Sequence, residues 1–221
     1  AKNFQGYQNL IKLTSIAHLE GYYYKPRIDC DLLSRHHEGL IATTACLASE
    51  TSRHIENKDF EGLNKTVGEY REIFGHDNYY LELQHHPSMP EQHVLNTHLK
   101  ELAVKTGLPL VATNDVHYVF ASDSTAHDQL VCIQTGKLVS DKDRMIYAGD
   151  FSLKSADAMA EAFSDVPEAL HNTARIAGLT DLEIPLGQNL LPRFKLPKGE
   201  TEESLLRAWC EKGLHRRYRE I

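Results

Sequence analysis

Apolar residues recur along the chain in two rhythms, one helical and one of short unbroken runs. Leu10, Leu13, Ile16, Ala17 and Leu19 predict a helix over residues 4–20, stopped by Gly21. Phe60, Leu63, Val67, Tyr70 and Phe74 repeat that spacing over residues 60–74, and residues 90–106 predict a third helix, closed by Gly107. Between these helices stand three short apolar or β-branched runs, residues 39–44, 79–84 and 109–113, suited to buried strands. Strands alternating with helices imply parallel pairing and right-handed crossovers, the construction of an α/β barrel or an open sheet. Three strands do not close a barrel, so an incomplete one is expected, with further strands preceding Ala1.

Beyond Tyr118 the pattern becomes mostly helical, over residues 122–135, 155–163 and 166–177, with a strand-like piece at 151–154. Pro185, Gly187, Pro192, Pro197 and Gly199 punctuate a connector. Thr201, Glu202, Glu203 and Ser204 then open a final helix with acids in its first turn and Arg216, Arg217 and Arg219 near its end, as the helix dipole favours. The expected divisions are residues 1–150, 151–191 and 192–221. Ala1 in place of Met, and helical patterns running to both ends, suggest an internal piece of a longer protein.

Composition narrows the function classes. A net charge of -7 over 221 residues argues against a nucleic-acid grip by this segment alone, because phosphate neutralisation needs clustered Lys and Arg. No apolar run reaches membrane-spanning length and no signal-peptide pattern opens the chain, so no membrane partner and a cytoplasmic location are expected. Cys30, Cys46, Cys132 and Cys210 are scattered without a CxxC pair, which points to reduced thiols.

The candidate chemistry gathers at one edge. Each strand is followed at its carboxyl end by residues able to bind metal: Cys46 after the first, His85 and His86 after the second, Asp115 and His117 after the third. In α/β folds active sites form along that edge. Asp115 and His117, two apart at a strand end, point to the same side and can meet one cation, although a lone D-x-H is more often a strand terminus with a solvated acid and a capping His. Cys46 taken alone reads first as a small buried hydrophobe, the commoner fate of a single Cys, and second as a soft thiolate ligand. Of His85 and His86 one should face inward; two readings stand open, His86 lining the pocket or both rings solvated in the loop. His36, His37, His93, His98 and His127 lie on helical or polar stretches, where most are expected at the surface.

In order, the segments AKNFQGYQNL, GYYYKPRID, EGLIATTACLASE, YYLELQHH, LPLVATNDVHY, AHDQLVCIQTGK and PEALHNTARIA resemble the PHP domain of bacterial DNA polymerase III alpha subunits. The family's GCLxGE segment corresponds to residues 45–50, ACLASE, and its NDxHY segment to residues 114–118, NDVHY; Thr44 and Ser49 stand where the family often has Gly. The resemblance implies an α/β fold, an incomplete PHP-type distorted β/α barrel with a mostly helical extension. Residues 1–150 would be the later part of the PHP domain, 151–191 its extension, and 192–221 a connector with the first helix toward the polymerase palm.

It further implies a divalent metal cluster of zinc or manganese type, to which Cys46, Asp115 and His117 contribute ligands, with His86 near the pocket and the other ligands before Ala1. Such a site hydrolyses phosphodiesters, clustered cations stabilising the attacking and leaving oxygens, and in some family members is a 3′-5′ exonuclease while in others it is structural. The magnesium-holding polymerase aspartates belong downstream, so no catalytic residue for DNA synthesis is expected here. DNA, deoxynucleotides and other replisome subunits would be partners of the parent polymerase. The alternative is a free-standing PHP-family metal-dependent phosphoesterase, which would have little use for the helical tail and basic final helix.

Overall fold

A computed structural model describes residues 1–147 and 149–218. The chain divides into two units, residues 1–183 and 184–221. The first unit opens with helix α1 (Phe4–Leu19), whose N-terminus is capped by Asn3 Oδ1 accepting from Gly6 N at 2.9 Å. The loop before the sheet crosses α1 closely: a Cβ on Gly6 would lie 2.0 Å from the Gly39 carbonyl oxygen, and Gly39 has a φ of +75°. Only glycine at both positions permits that approach. The main-chain bond from Lys2 N to Gly39 O, 2.7 Å, and the bond from Asn9 Nδ2 to Glu38 O, 2.9 Å, hold the crossing.

Three parallel strands follow in spatial order β1 (Ala42–Thr43), β2 (Tyr79–Gln84) and β3 (Leu110–Thr113). β2 is central, with Ala42 opposite Tyr79 on one side and Leu81 to Gln84 opposite Leu110 to Thr113 on the other. Helices α3 (Glu50–Glu56) and α4 (Phe60–Phe74) connect β1 to β2, and α5 (Pro90–Thr106) connects β2 to β3. This is the expected alternation, realised as a mixed α/β unit around a small parallel sheet.

Alternation along β2 separates two environments. Tyr79, Leu81 and Leu83 enter the main hydrophobic core with Leu63, Val67 and Phe74 of α4 and Leu95, Leu99 and Leu102 of α5. Tyr79 stacks on Tyr70, ring centroids 5.6 Å apart, and its burial pushes the phenol well above its ordinary pKa. The opposite face of β2 carries Tyr80, Glu82 and Gln84. There the Glu82 carboxylate accepts from Thr43 Oγ1 of β1 at 2.5 Å and from Thr113 Oγ1 of β3 at 2.6 Å, while its backbone N–H donates to Thr44 Oγ1 at 2.8 Å. One side chain thus ties all three strands at their carboxyl ends.

β1 is shorter than its apolar run. The turn at Gly39 delays its start, and Ala45, with a φ of +57°, bends the chain away after Thr44. Two short helices have no counterpart in the periodicity: α2 (Cys30–Arg35), capped by Asp29, and α3, capped by Ser49. Both are too short and polar to show an apolar stripe; α3 buries Thr51 and Ser52 beside Ile55.

After β3 come a 3-10 turn (Ala121–Asp123), α6 (Ser124–Thr135), α7 (Ala156–Ala162) and α8 (Pro167–Gly178). The piece at 151–154 forms a single parallel bridge, Ser152 with Tyr118. α8 packs on β3, with Ala169 fully buried in the main core. Asn172 Nδ2 donates to Leu110 O and Thr173 Oγ1 to Ala112 O, both at 2.8 Å, so side chains of a helix take carbonyls that would stand open along the strand.

The second unit holds the connector and α9 (Glu202–Arg217). Thr201 and Ser204 form a reciprocal cap, acids occupy the first turn, and His215, Arg216 and Arg217 the last. Phe194 meets Trp209 edge to face with centroids 5.5 Å apart. Arg219 lies outside the described residues. Among the described residues no helix is long and apolar enough to cross a membrane.

Replacing Asn172 by Leu strips the donor from the Leu110 carbonyl. We expect a loss of about 1–3 kcal/mol of unfolding free energy in urea denaturation, the cost of an unpaired buried group. A change below about 0.5 kcal/mol, within the range of ordinary surface substitutions, would show that α8 does not secure this strand through hydrogen bonding.

Candidate functional site

The loops leaving the three parallel strands meet around a cavity of about 380 Å³. Cys46, Leu47 and Ala48 line it from the loop after β1, His86 from the end of β2, and Asp115 from the turn after β3. Three of the four residues singled out in the sequence therefore share one cavity. His117 does not line it and stands behind Asp115, its Nε2 3.1 Å from Asp115 Oδ1. His86 Nε2 lies 3.7 Å from the other carboxylate oxygen, too far for a hydrogen bond.

The local sequence explains each placement. Ala45 takes a left-handed conformation, and this position, rather than Thr44 or Ser49, is the one that favours glycine. Thr44 supplies the hydroxyl that accepts from Glu82 N, and the Ser49 hydroxyl accepts from Ser52 N as the cap of α3, so a side chain at each is accommodated. At the end of β2, His86 is buried and His85 half-buried, the inward and outward pair expected. The His86 ring tilts against Phe151, centroids 4.8 Å apart. Burial holds its imidazole below the ordinary pKa, against the pull of Asp115.

The 114–118 segment is braced at both ends. Asn114 Oδ1 accepts from Lys154 N at 2.8 Å, and Tyr118 Oη accepts from Phe151 N at 3.0 Å. These bonds seat Phe151 between His86 and His117, whose ring lies 5.1 Å from it. His127 departs from its surface expectation. It is half-buried on α6, and its Nε2 comes 3.4 Å from His117 Nδ1, within a cluster that also contains Tyr118 and Tyr147. In a neutral His117 ring, Nε2–H donates to Asp115 and Nδ1 accepts from His127. The sequence hid this contact because His127 and His117 sit on different elements.

A strap of residues 138–147 forms the outer wall, with Met145, Ile146 and Tyr147 lining the cavity. It is anchored to α6 by a two-pronged ion pair, Arg144 Nη1 to Asp128 Oδ1 at 2.5 Å and Nη2 to Oδ2 at 2.9 Å. The guanidinium holds the Asp128 carboxyl below its ordinary pKa.

Thiol, imidazole and carboxylate are the donor types that transition-metal ions select. Their chemistry suits a metal, but their number does not complete a site: among the described residues no three His, Cys, Asp or Glu side chains converge closely enough to hold one ion. Glu82 was missed in the sequence, although a lone acid within the otherwise uncharged strand YYLELQ is the signal that should have found it.

Two outcomes follow from this geometry. His86 in the folded, metal-free chain should titrate below the ordinary value near 6.5, followed by its ring resonances in NMR, and Asp115→Asn should lower it further by removing the opposing charge. Because the unfolded state then binds the proton more readily, this group's contribution to stability is full above about pH 6.5 and declines as pH falls toward the folded pKa. A titration at or above 6.5 contradicts the burial argument. Separately, Ala45→Gly should raise stability by roughly 1 kcal/mol and Ala45→Val lower it, read from thermal unfolding. Equal stabilities would remove the left-handed constraint.

A PHP domain family model matches residues 1–86, so Cys46 and His86 fall within the matched span and Asp115 and His117 beyond it. DNA polymerase III subunit alpha of Borreliella burgdorferi is 44% identical over 89% of this chain and 17% of its own length. The proteins of the same name from Treponema pallidum and Thermus aquaticus are 42% and 41% identical over 99% of the chain, and 19% and 18% of their own lengths. The chain thus spans under a fifth of the curated relatives it matches. Similarity to the Treponema and Thermus proteins takes in the connector and α9, and the chain belongs to the DNA polymerase III subunit alpha family, in the region that carries the PHP domain.

Proposed function

We propose that this chain contributes part of a metal-binding PHP site to a replicative DNA polymerase, and that the site acts on phosphodiesters. The observation that carries this reading is the convergence of Cys46, His86 and Asp115 on one cavity at the carboxyl ends of three parallel strands. In this reading the three-stranded sheet is a segment of a distorted β/α barrel. Residues 1–150 belong to the PHP domain, 151–191 extend it, and 192–221 lead toward the palm.

Cys46, Asp115 and His117 are the ligands proposed for this chain, of which His117, outside the cavity with its ring nitrogens toward Asp115 and His127, would have to turn from those contacts to bind, and further residues of the parent protein complete the set. The metal, of zinc or manganese type, would supply charge stabilisation for the attacking and leaving oxygens of a phosphodiester. The protein's own contribution is positional. Asp115 is oriented by His117, which His127 backs, and His86 presents a buried ring beside the carboxylate. Met145, Ile146 and Phe151 limit water on the outer side of the cavity. Synthesis of DNA from deoxynucleotides, with magnesium, belongs to the palm of the parent, whose DNA and replisome partners follow from the names of the relatives.

A second reading is a PHP domain that braces the polymerase without metal. It is favoured by the absence of three convergent ligands among the described residues. A free-standing phosphoesterase is the weaker alternative, because similarity to polymerase subunits runs over 99% of the chain. Elemental analysis of the intact parent polymerase separates the first two. Bound divalent metal should be found and should fall in proportion in Cys46→Ala and Asp115→Ala. Metal content unchanged by either substitution overturns the ligand assignment.

A further inference from the structure

The cavity has a second half that the metal reading does not use. Next to the polar cluster lies an apolar slot, with Leu47 and Met89 contributed from one set of loops and Ile146, Tyr147 and Phe151 from the strap and the segment after it. Tyr147 stands edge to face on Phe151, centroids 5.3 Å apart; Phe151 is 3% exposed and backs Tyr147, whose ring is the accessible one. Tyr147 is 38% exposed and Ile146 59%, an open apolar wall beside a buried polar floor.

The floor contains an unmet acceptor. Gln92 on α5 lines the cavity and is 1% exposed. Its amide orientation follows from its neighbours: Asn96 Nδ2 donates to Gln84 O at 2.8 Å, which leaves Asn96 Oδ1 to accept from Gln92 Nε2 at 2.9 Å. Gln92 Oε1 is therefore the remaining atom, and it is buried with no hydrogen-bond partner. A buried amide oxygen left without a donor is costly, and an apolar slot beside it selects what can supply that donor. The matching group is flat, apolar on its faces and carries an N–H on its edge.

We propose that this slot is a nucleobase subsite, which receives the unstacked terminal base of a DNA strand whose backbone lies at the Cys46–Asp115 side, with Gln92 accepting from the base's exocyclic amino group. The proposal rests on the reading of the cavity as a phosphodiester site. Enzymes that act on an extruded base hold it between aromatic and apolar side chains and read its edge by hydrogen bonds, and the slot supplies both elements. The Arg144–Asp128 ion pair then has a definite role: it fixes the strap, and with it Tyr147, at the rim of the slot. A lone acceptor also discriminates. Cytosine offers an amino group where thymine or uracil offers a carbonyl oxygen, which would face Gln92 Oε1 with like polarity.

The test uses the intact parent polymerase, without added metal, and single-stranded oligonucleotides ending at the 3′ position in 5-iododeoxycytidine or 5-iododeoxyuridine behind a non-hydrolysable linkage. After irradiation, peptide mapping should find the cytosine probe joined to Tyr147 or Phe151. Labelling should fall about tenfold in Tyr147→Ala, the loss expected for one base–aromatic stack, and should also fall in Arg144→Met, which alters only the strap anchor. The cytosine probe should label several-fold more than the uracil probe, and Gln92→Met should abolish that difference.

Labelling confined to other segments, or unchanged in both strap variants, overturns the subsite. Equal labelling by the two probes in the unsubstituted protein overturns the role of Gln92. Because no metal is needed, the outcome is independent of the ligand assignment. Metal lost on Cys46→Ala without labelling of the slot rejects the subsite alone, and labelling without metal rejects the metal reading alone.

Discussion

A single carboxylate sets the geometry on which the candidate site depends. Glu82, on the central strand, accepts hydroxyl hydrogen bonds from Thr43 on β1 and Thr113 on β3, and its backbone donates to Thr44. Hydrogen bonds to an ionised acceptor contribute about 1.5–3 kcal/mol each, and here they join strands far apart in sequence. β1 has only two residues and two registered pairs with β2, too few to hold its position by ladder bonds alone. The threonine–glutamate ties hold the last residues of β1 and β3 to the central strand, and so fix where the loops bearing Cys46 and Asp115 begin.

From that rim outward, each layer restrains the next. Asn114 and Tyr118 flank the Asp115–His117 pair and hold the backbone of residues 151 and 154, which brings Phe151 against both His86 and His117. His127 backs His117 from α6, and the same helix anchors the strap through Asp128. The segment AHDQ therefore serves the site twice, by the imidazole of His127 and by the carboxylate of Asp128. The arrangement has the logic of a preformed pocket: polar groups converge at one end, apolar walls close the other, and both are positioned by a sheet rather than by a free loop.

Much of this was legible in the sequence. The long elements α4 and α5 and the strands β2 and β3 follow from apolar spacing, because each buries a stripe or face in one core, whereas α1, placed by the same spacing, buries only Leu13 and Ala17 of its predicted stripe and leaves Leu10 and Leu19 exposed. The short helices α2 and α3 were not legible, since a helix of six or seven residues is held by its cap and by tertiary contacts rather than by periodicity. The rim residues Cys46, His86 and Asp115 could be named because each follows a strand. Contacts between distant elements could not: the strand-tying role of Glu82, the pairing of His127 with His117, and the Arg144–Asp128 anchor depend on folding. The GCLxGE correspondence already sets a glycine against Ala45, and the left-handed φ of Ala45 supplies the physical reason for it.

The central claim is that the thiol after β1 and the carboxylate after β3 serve one cation. Cobalt(II) loaded into the intact parent polymerase tests it directly, because a bound thiolate gives a sulfur-to-cobalt charge-transfer band while the visible bands report the whole ligand set. The account predicts a charge-transfer band that disappears in Cys46→Ser, together with visible bands that shift in Asp115→Asn at the same cobalt stoichiometry. A cobalt spectrum without a thiolate band, or one in which the two substitutions affect separate ions, would contradict it.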